Sequence, residues 1–383
     1  MSDATLLEAA AALAPSLRAE SDAIETARRL PPAIVDQLAR AGLFRMLVPR
    51  ALGGGEVAPV TMIRAIEAVT RGDSAAGWCV MVGATSGLVS AYLPADAARE
   101  VYGDPLAVTS GVFAASGKAI DEGDHYRVSG RWSFASGVEH TSHRMVGVVV
   151  TDAAGQPLLE PTGVPVIRHV LVRAEDTRVI DTWNVSGLRG TGSHDLGVEG
   201  AIVSKRWSAS LLGGRPQHDG VLYRFPLFGL LSLGIAAVAL GVAREAIDAL
   251  TALATPASSK KSLAHRELVQ AHVAEAEGLV RSARALLLEA AGEATAVAAA
   301  RGPVTPRDRA LLRLSATQAT RASARAVDLM YSAGGGSSIY AQSPLQRHFR
   351  DIHVATQHAM VAEGTYALVG RALLGLSSDA GML

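Results

Sequence analysis

Apolar and polar positions along the chain change period twice. Up to about residue 104 they recur at helical spacing, as in PPAIVDQLARAGLFRML, where Pro31 and Pro32 stand where a helix can start. The stretch SAAGWCVMVGATSGLVSAYL predicts a second helix, apolar on nearly every side and so buried. From about 105 to 205 the runs AVTSGVF, HYRVSGRWSFA, RMVGVVVT, VIRHVLV and LGVEGAIV are short, rich in Val and Ile, and separated by Gly, Asp and Pro. They predict strands of an antiparallel sheet or barrel. From about 220 the helical period returns, broken at Thr255 and Pro256, at Gly302 and Pro303, and at Gly334 to Gly336. Long helices joined by short connections predict a four-helix bundle. The expected class is α+β in three domains: an N-terminal helical domain at 1–104, a central β domain at 105–213, and a helical bundle for oligomerisation at 214–383.

Residues 227–243 (LFGLLSLGIAAVALGVA) run for 17 positions without a charge, short of the roughly 20 that span a bilayer. Arg244 and Glu245 continue the segment as an ordinary amphipathic helix, so it reads as bundle core. The helices expected near 264–300 and 306–333 carry more apolar positions than one seam uses. That predicts faces buried against other subunits, with alanine-rich composition as the alternative.

Composition narrows the picture. A chain of 383 residues, 49% hydrophobic, can build two or three cores. Lys+Arg and Asp+Glu balance at 36 each, which leaves no net field for nucleic acid or an anionic membrane. Cys79 is the only cysteine, which excludes a disulfide framework and multi-cysteine metal sites and suits a reducing cytoplasm. The first residues lack a basic segment, and Asp3 and Glu8 interrupt them, so no secretory signal is expected.

Common catalytic spacings are missing: no GxSxG elbow, Walker A loop or HExxH helix occurs. Gly187, Gly190 and Gly192 imitate a dinucleotide loop but lead into a strand-like stretch, not a helix, so a nicotinamide site lacks support. His353 and His358 lie five apart on a predicted helix, about 140° around it, and cannot share a metal. His140 and His143 have only Glu139 nearby. No metal site is expected.

Three segments carry a resemblance: GRWSFASGVEH (130–140), DTWNVSGLRGTGSHD (181–195) and SAGGGSSIYAQSPLQRHFRDIHVATQH (332–358). Together with the order of regions, they resemble the acyl-CoA dehydrogenase superfamily, and specifically its group D two-component flavin-dependent monooxygenases. The resemblance places a flavin between the β domain and the helical bundle. By position, Ser136 would meet the N5–O4 edge of the ring, Phe134 would flank it, and Thr109 would reach its pyrimidine side. Gly335 and Gly336 would approach the cofactor, often that of a neighbouring subunit. A simple turn remains the alternative for Ser136 and Gly137.

Some branches of dehydrogenases in this family place their base on another helix, but most use a glutamate nine residues after the arginine of an Arg–Asp pair. Aligned on Gly335, Gly336, Pro344, Arg350 and Asp351, that position is Ala359, and Glu363 stands four residues later. A Pro-Gly-Ser-Asp loop of the dehydrogenases is also missing, with GVFAASGKA in its place. His358 precedes the absent base, where the resemblance implies a histidine that assists a C4a-hydroperoxyflavin. A histidine satisfied at a helix interface is the alternative. Trp78 is a candidate substrate contact or a core residue, and Arg189, with Thr191 and Ser193, either holds an anion or anchors a turn.

The resemblance thus implies an oxygenase component that accepts reduced FAD or FMN from a separate NAD(P)H:flavin reductase. It would use O2 to hydroxylate a small, phenol- or indole-like molecule, and it would assemble as a homotetramer. The competing expectations are an FAD-dependent acyl-CoA dehydrogenase with its base elsewhere, an oxygenase acting on a CoA ester, and a non-catalytic scaffold.

Overall fold

A computed structural model describes residues 2–254, 263–302 and 304–376. Five helices come first: α1 (Asp3–Ala27), α2 (Pro32–Arg40), α3 (Pro59–Thr70), α4 (Ser74–Ser86) and α5 (Ala95–Tyr102). Pro32 opens α2 at its first turn, where its missing N–H costs nothing. Helix α4 is almost wholly buried, as its unbroken apolar run requires, and the Asp73 carboxylate caps it by accepting from Ala76 N at 2.8 Å.

Seven strands follow: β1 (Thr109–Asp121), β2 (His125–Trp132), β3 (His143–Thr151), β4 (Ile167–Arg173), β5 (Arg178–Ile180), β6 (Asp195–Ser204) and β7 (Ser208–Ala209). They form one sheet in the order β5-β6-β2-β1-β3-β4-β7. Of the two expected forms, sheet or barrel, it is an open sheet, with β5 and β7 as edges. It departs from the expected antiparallel pairing in one respect: β1 pairs with β3 in parallel, Thr109 opposite His143. The cause is a crossover: after the β1–β2 hairpin, residues 133–142 carry the chain past the start of β1 to its other side. GVFAASGKA, which stands in the place of the dehydrogenase loop, lies within β1, which bulges between Val112 and Gly117. Gly117 leaves room for fully buried Trp132, since a Cβ there would stand 2.0 Å from its ring.

The C-terminal part holds α6 (Leu227–Ala254), α7 (Glu267–Ala299), α8 (Pro306–Gly334), α9 (Pro344–Ala355) and α10 (Gly364–Leu373). Helix α6 is long and apolar enough to cross a membrane, yet 78% of its most apolar window is buried within the protein, against α8, α3, α9 and α4. The breaks expected at Thr255 and Pro256, and at Pro303, lie outside the described residues. The expected fourth bundle helix is instead two short ones, α9 and α10, with residues 356–363 as a turn between them. This corrects the expectation that His353 and His358 share a helix. Helix α9 ends at Ala355, Thr356 turns its hydroxyl back onto His353 O at 2.8 Å, and His358 stands beyond the end.

Candidate active site

The crossover after β2 meets α4 and the loop before β6. Phe134 adopts φ +64°, a left-handed conformation that is an outlier for an aromatic residue. Its neighbours hold it there: Ala135 N donates to His194 O at 3.0 Å, and Ser136 N to Phe134 O at 2.8 Å. The twist throws the Phe134 ring outward, 72% exposed, with one edge toward Trp183 at 6.3 Å between centroids. Gly137, at φ +69°, then returns the chain, and its N–H donates to Thr191 O at 2.8 Å. Strained backbone beside an uncovered aromatic ring marks a ligand site more often than a stability device.

Ser136 points inward and is buried. Its Oγ accepts from Trp78 Nε1 at 3.0 Å and lies 2.6 Å from Ser193 Oγ. Ser193 Oγ is in turn 2.6 Å from Thr191 Oγ1, which donates to Leu188 O at 2.8 Å. The anchor of this chain is Leu188, itself left-handed at φ +50°, whose N–H donates to Asp351 Oδ1 at 2.6 Å. Ser74, at the start of α4, hydrogen-bonds the other oxygen of Asp351. Burial raises the Asp351 pKa, and burial together with the charge of Asp351 raises that of Asp73 to about 6.

The same loop disposes of the dinucleotide imitation. A Cβ on Gly187 would stand 2.3 Å from the Arg350 carbonyl, and one on Gly190 would stand 2.2 Å from Ile24. These glycines permit close packing of the loop on α9 and α1 and leave no cradle for phosphates.

His358 lies beside the Trp78 ring, 5.9 Å between centroids. It reaches solvent, yet the protein around it desolvates the imidazolium, and with the nearby Arg313 guanidinium this lowers its pKa to about 4. Its Nδ1 accepts from Met360 N at 3.2 Å, which places the hydrogen of the neutral ring on Nε2. Arg313, buried on α8, donates to Met360 O at 3.1 Å and so steadies the turn that carries His358. Glu363, the mimic of a dehydrogenase base, is 80% exposed and lies 3.8 Å from Arg321.

The remaining sequence candidates are dispersed. Thr109 is buried at the start of β1, with its hydroxyl 3.3 Å from that of Tyr102. Gly335 and Gly336 are exposed at the end of α8, and nothing of this chain lies within 4 Å of where a Cβ would stand on either. Gly335, at φ +55°, needs to be glycine for its backbone alone. Arg189 is half-buried, and its Nε has no hydrogen-bond partner. Trp78 is 8% exposed, and its indole N–H is already engaged by Ser136. Among the described residues, no group of three His, Cys, Asp or Glu side chains is arranged to hold a metal. The role of Arg313 left no trace in the sequence pattern, and Asp351 entered it only as half of the Arg–Asp pair that sets the register. Thr191 and Ser193 carried two readings, an anion site with Arg189 or the anchor of a turn, and neither foresaw their link to Ser136.

Residues 4–102 match the model of the acyl-CoA dehydrogenase N-terminal domain, and residues 233–363 that of its C-terminal domain. The chain is 33% identical to the indole-3-acetate monooxygenase of Pseudomonas putida over 363 residues, covering 94% of this chain and 90% of that protein. It belongs to the flavin-dependent monooxygenase branch of the acyl-CoA dehydrogenase family. The HsaA monooxygenase of M. tuberculosis superposes on this monooxygenase over the whole of both chains, with a TM-score of 0.90 and 25% identity. XiaF from Streptomyces, solved with FADH2 and glycerol, does so at 0.88 and 25% identity, over 98% of this chain and 96% of XiaF. The monooxygenase thus keeps the acyl-CoA dehydrogenase fold.

Proposed function

We propose that this monooxygenase is the oxygenase component of a two-component system, receiving reduced FAD or FMN from a separate NAD(P)H:flavin reductase and hydroxylating a small aromatic molecule. The observation that carries the reading is the joining of Ser136 and His358 through one side chain, Trp78, beside the exposed ring of Phe134. The donor set fits an isoalloxazine: an uncovered aromatic surface for its plane and a hydroxyl for its polar edge. Phe134, Ser136 and Thr109 hold the cofactor in this reading, with Gly335 and Gly336 presented to it across a subunit contact. When bound, the reduced flavin supplies two electrons, so that one atom of O2 enters the substrate and the other leaves as water.

The residues divide the remaining work. His358, neutral with its hydrogen on Nε2, donates to the oxygen being activated or orients the phenol or indole group. Trp78 screens the site from water, and Arg189 supplies a guanidinium charge for a substrate anion. That last role suits the acidic side chain named in indole-3-acetate, the substrate of the Pseudomonas relative. Exposed Ile339 and Tyr340, next to the glycines, supply apolar surface for a homotetramer in the cytoplasm.

The test is the stoichiometry of reduced flavin, O2, hydroxylated product and hydrogen peroxide across indoles and phenols. Product formation matched to flavin oxidation supports the reading. Flavin bleaching by acyl-CoA thioesters, with no oxygen inserted, would replace it with a dehydrogenase. In a companion variant, Ser136→Val should weaken reduced-flavin binding, and unaltered affinity would move the cofactor elsewhere.

A further inference from the structure

Resting on the placement of Ser136 at the flavin edge, we propose that the hydroxyl chain Ser136–Ser193–Thr191 makes this site selective for the reduced form of the flavin. The hydrogens available along the chain fix its direction. Thr191 Oγ1 and Leu188 O are 2.8 Å apart, and a carbonyl oxygen has no hydrogen to give. The hydrogen between them is therefore that of Thr191.

The next link, Thr191 to Ser193, is 2.6 Å long and also needs a hydrogen. The Thr191 hydrogen is already engaged, so Ser193 donates. By the same step, the 2.6 Å contact between Ser193 and Ser136 takes its hydrogen from Ser136. The chain has one direction, ending on a backbone carbonyl.

At its other end, Trp78 N–H can only donate, and it occupies one lone pair of Ser136 Oγ. One lone pair is left, and no hydrogen. The backbone around it offers no donor either, since the N–H groups of Ala135, Ser136, Gly137 and Val138 go to His194 O, Phe134 O, Thr191 O and Ala135 O. The edge presented at Ser136 is thus an acceptor.

The two redox forms of an isoalloxazine differ at this point. The reduced ring carries a hydrogen on N5 and donates, whereas the oxidised ring has a bare nitrogen that accepts. An acceptor edge pairs with the first and repels the second, and the unpaired contact is costly in a buried site. Thr191 and Ser193 need not touch the cofactor. They are positioning residues that set which way the Ser136 hydrogen points. The chain would let an oxygenase take reduced flavin from solution and release the oxidised product.

The experiment measures dissociation constants of FMN and FAD in both redox states, the reduced state under strict anaerobiosis, for the wild type and four variants. Ser193→Ala removes the acceptor that holds the Ser136 hydrogen. Thr191→Val removes the acceptor of Ser193, so that Ser193 can donate to Ser136 and release its hydrogen. Either change should tighten oxidised-flavin binding about tenfold relative to reduced flavin, while Thr191→Ser, which keeps the hydroxyl, should preserve the wild-type ratio.

The fourth variant, Ser136→Ala, separates two kinds of failure. If it weakens reduced-flavin binding while Ser193→Ala and Thr191→Val leave the ratio unchanged, the hydroxyl chain does not select and the proposal is overturned. If none of the variants alters either affinity, Ser136 does not face the flavin, and the placement of the cofactor fails with it. Neutron diffraction from wild-type crystals provides a check that needs no variant to fold. The proposal requires the Ser136 hydrogen on the line to Ser193, and a hydrogen directed away from Ser193 contradicts it.

Discussion

Trp78 donates its indole N–H to the Ser136 hydroxyl at 3.0 Å, and the same ring stands 5.9 Å from His358. One buried side chain on α4 therefore sets the spacing between a crossover of the sheet and a turn of the helical region. Trp78→Phe keeps an aromatic ring, smaller than the indole, and deletes the donor. A neutral hydrogen bond contributes about 1 kcal/mol, so reduced-flavin affinity should fall about fivefold and the melting temperature by only a few degrees. Wild-type affinity in this variant would mean that the indole N–H does not tune Ser136.

The neutral state of His358 predicts an absence of pH dependence. With its pKa lowered to about 4, the ring carries no charge between pH 6 and 9. The fraction of oxygen released as peroxide should then show no inflection near 6.5, the ordinary histidine value. His358→Ala should raise that fraction about tenfold, the loss of one hydrogen bond, with flavin affinity nearly unchanged. His358→Gln, which keeps an N–H donor, should recover part of the coupling. An inflection near 6.5 that vanishes in His358→Gln would show that the imidazolium acts, and would overturn the neutral-donor role.

Sequence periodicity located the apolar helices α4 and α6 because their residues are committed to burial over whole turns. It could not foresee that β1 and β3 run parallel, since that depends on which side of β1 the crossover takes. His358 was legible from its register with Arg350 and Asp351, although its turn conformation was not. Thr191 and Ser193 had the residue types of a turn, and the loop does use them locally. Their alignment with Ser136, 57 residues from Ser193 in sequence, is created only by tertiary packing. The positions of Thr109, Gly335 and Gly336 came from resemblance alone.

Stability should fall as the protein is acidified. Burial lowers the pKa of His140, His169 and His348 from 6.5 to about 4. The unfolded chain takes up these protons first, so their contribution is complete above pH 6.5 and is lost as pH falls toward 4. Asp73 acts in the opposite sense. Its pKa is raised from 3.8 to about 6, so its contribution is complete below 3.8 and lost as pH rises through 6. Three histidines outweigh one aspartate, and the melting temperature should decline steadily from pH 7 to pH 4.5. Asp73→Asn keeps the α4 cap and removes the opposing term. It should stabilise the protein more at pH 8 than at pH 5, and the reverse order would place the Asp73 pKa below its ordinary value.

Asp351 links stability to the site through a single backbone contact. It accepts from Leu188 N at 2.6 Å and also bonds Ser74, so α9 holds both the start of α4 and the origin of the hydroxyl chain. Asp351→Ala leaves a buried N–H without a partner, at a cost of about 1–3 kcal/mol. It should also loosen Leu188, whose left-handed backbone needs that hold, and thereby disorder Thr191 and Ser193. Asp351→Asn retains an acceptor for Leu188 and removes a charge that burial disfavours. The alanine variant should therefore lose both melting temperature and reduced-flavin affinity, and the asparagine variant should lose little of either. Hydrogen exchange at the Leu188 amide tells a local effect from a global one. It should quicken in Asp351→Ala ahead of amides in α6, and equal acceleration throughout would mean that Asp351 supports the whole fold without a particular hold on the site.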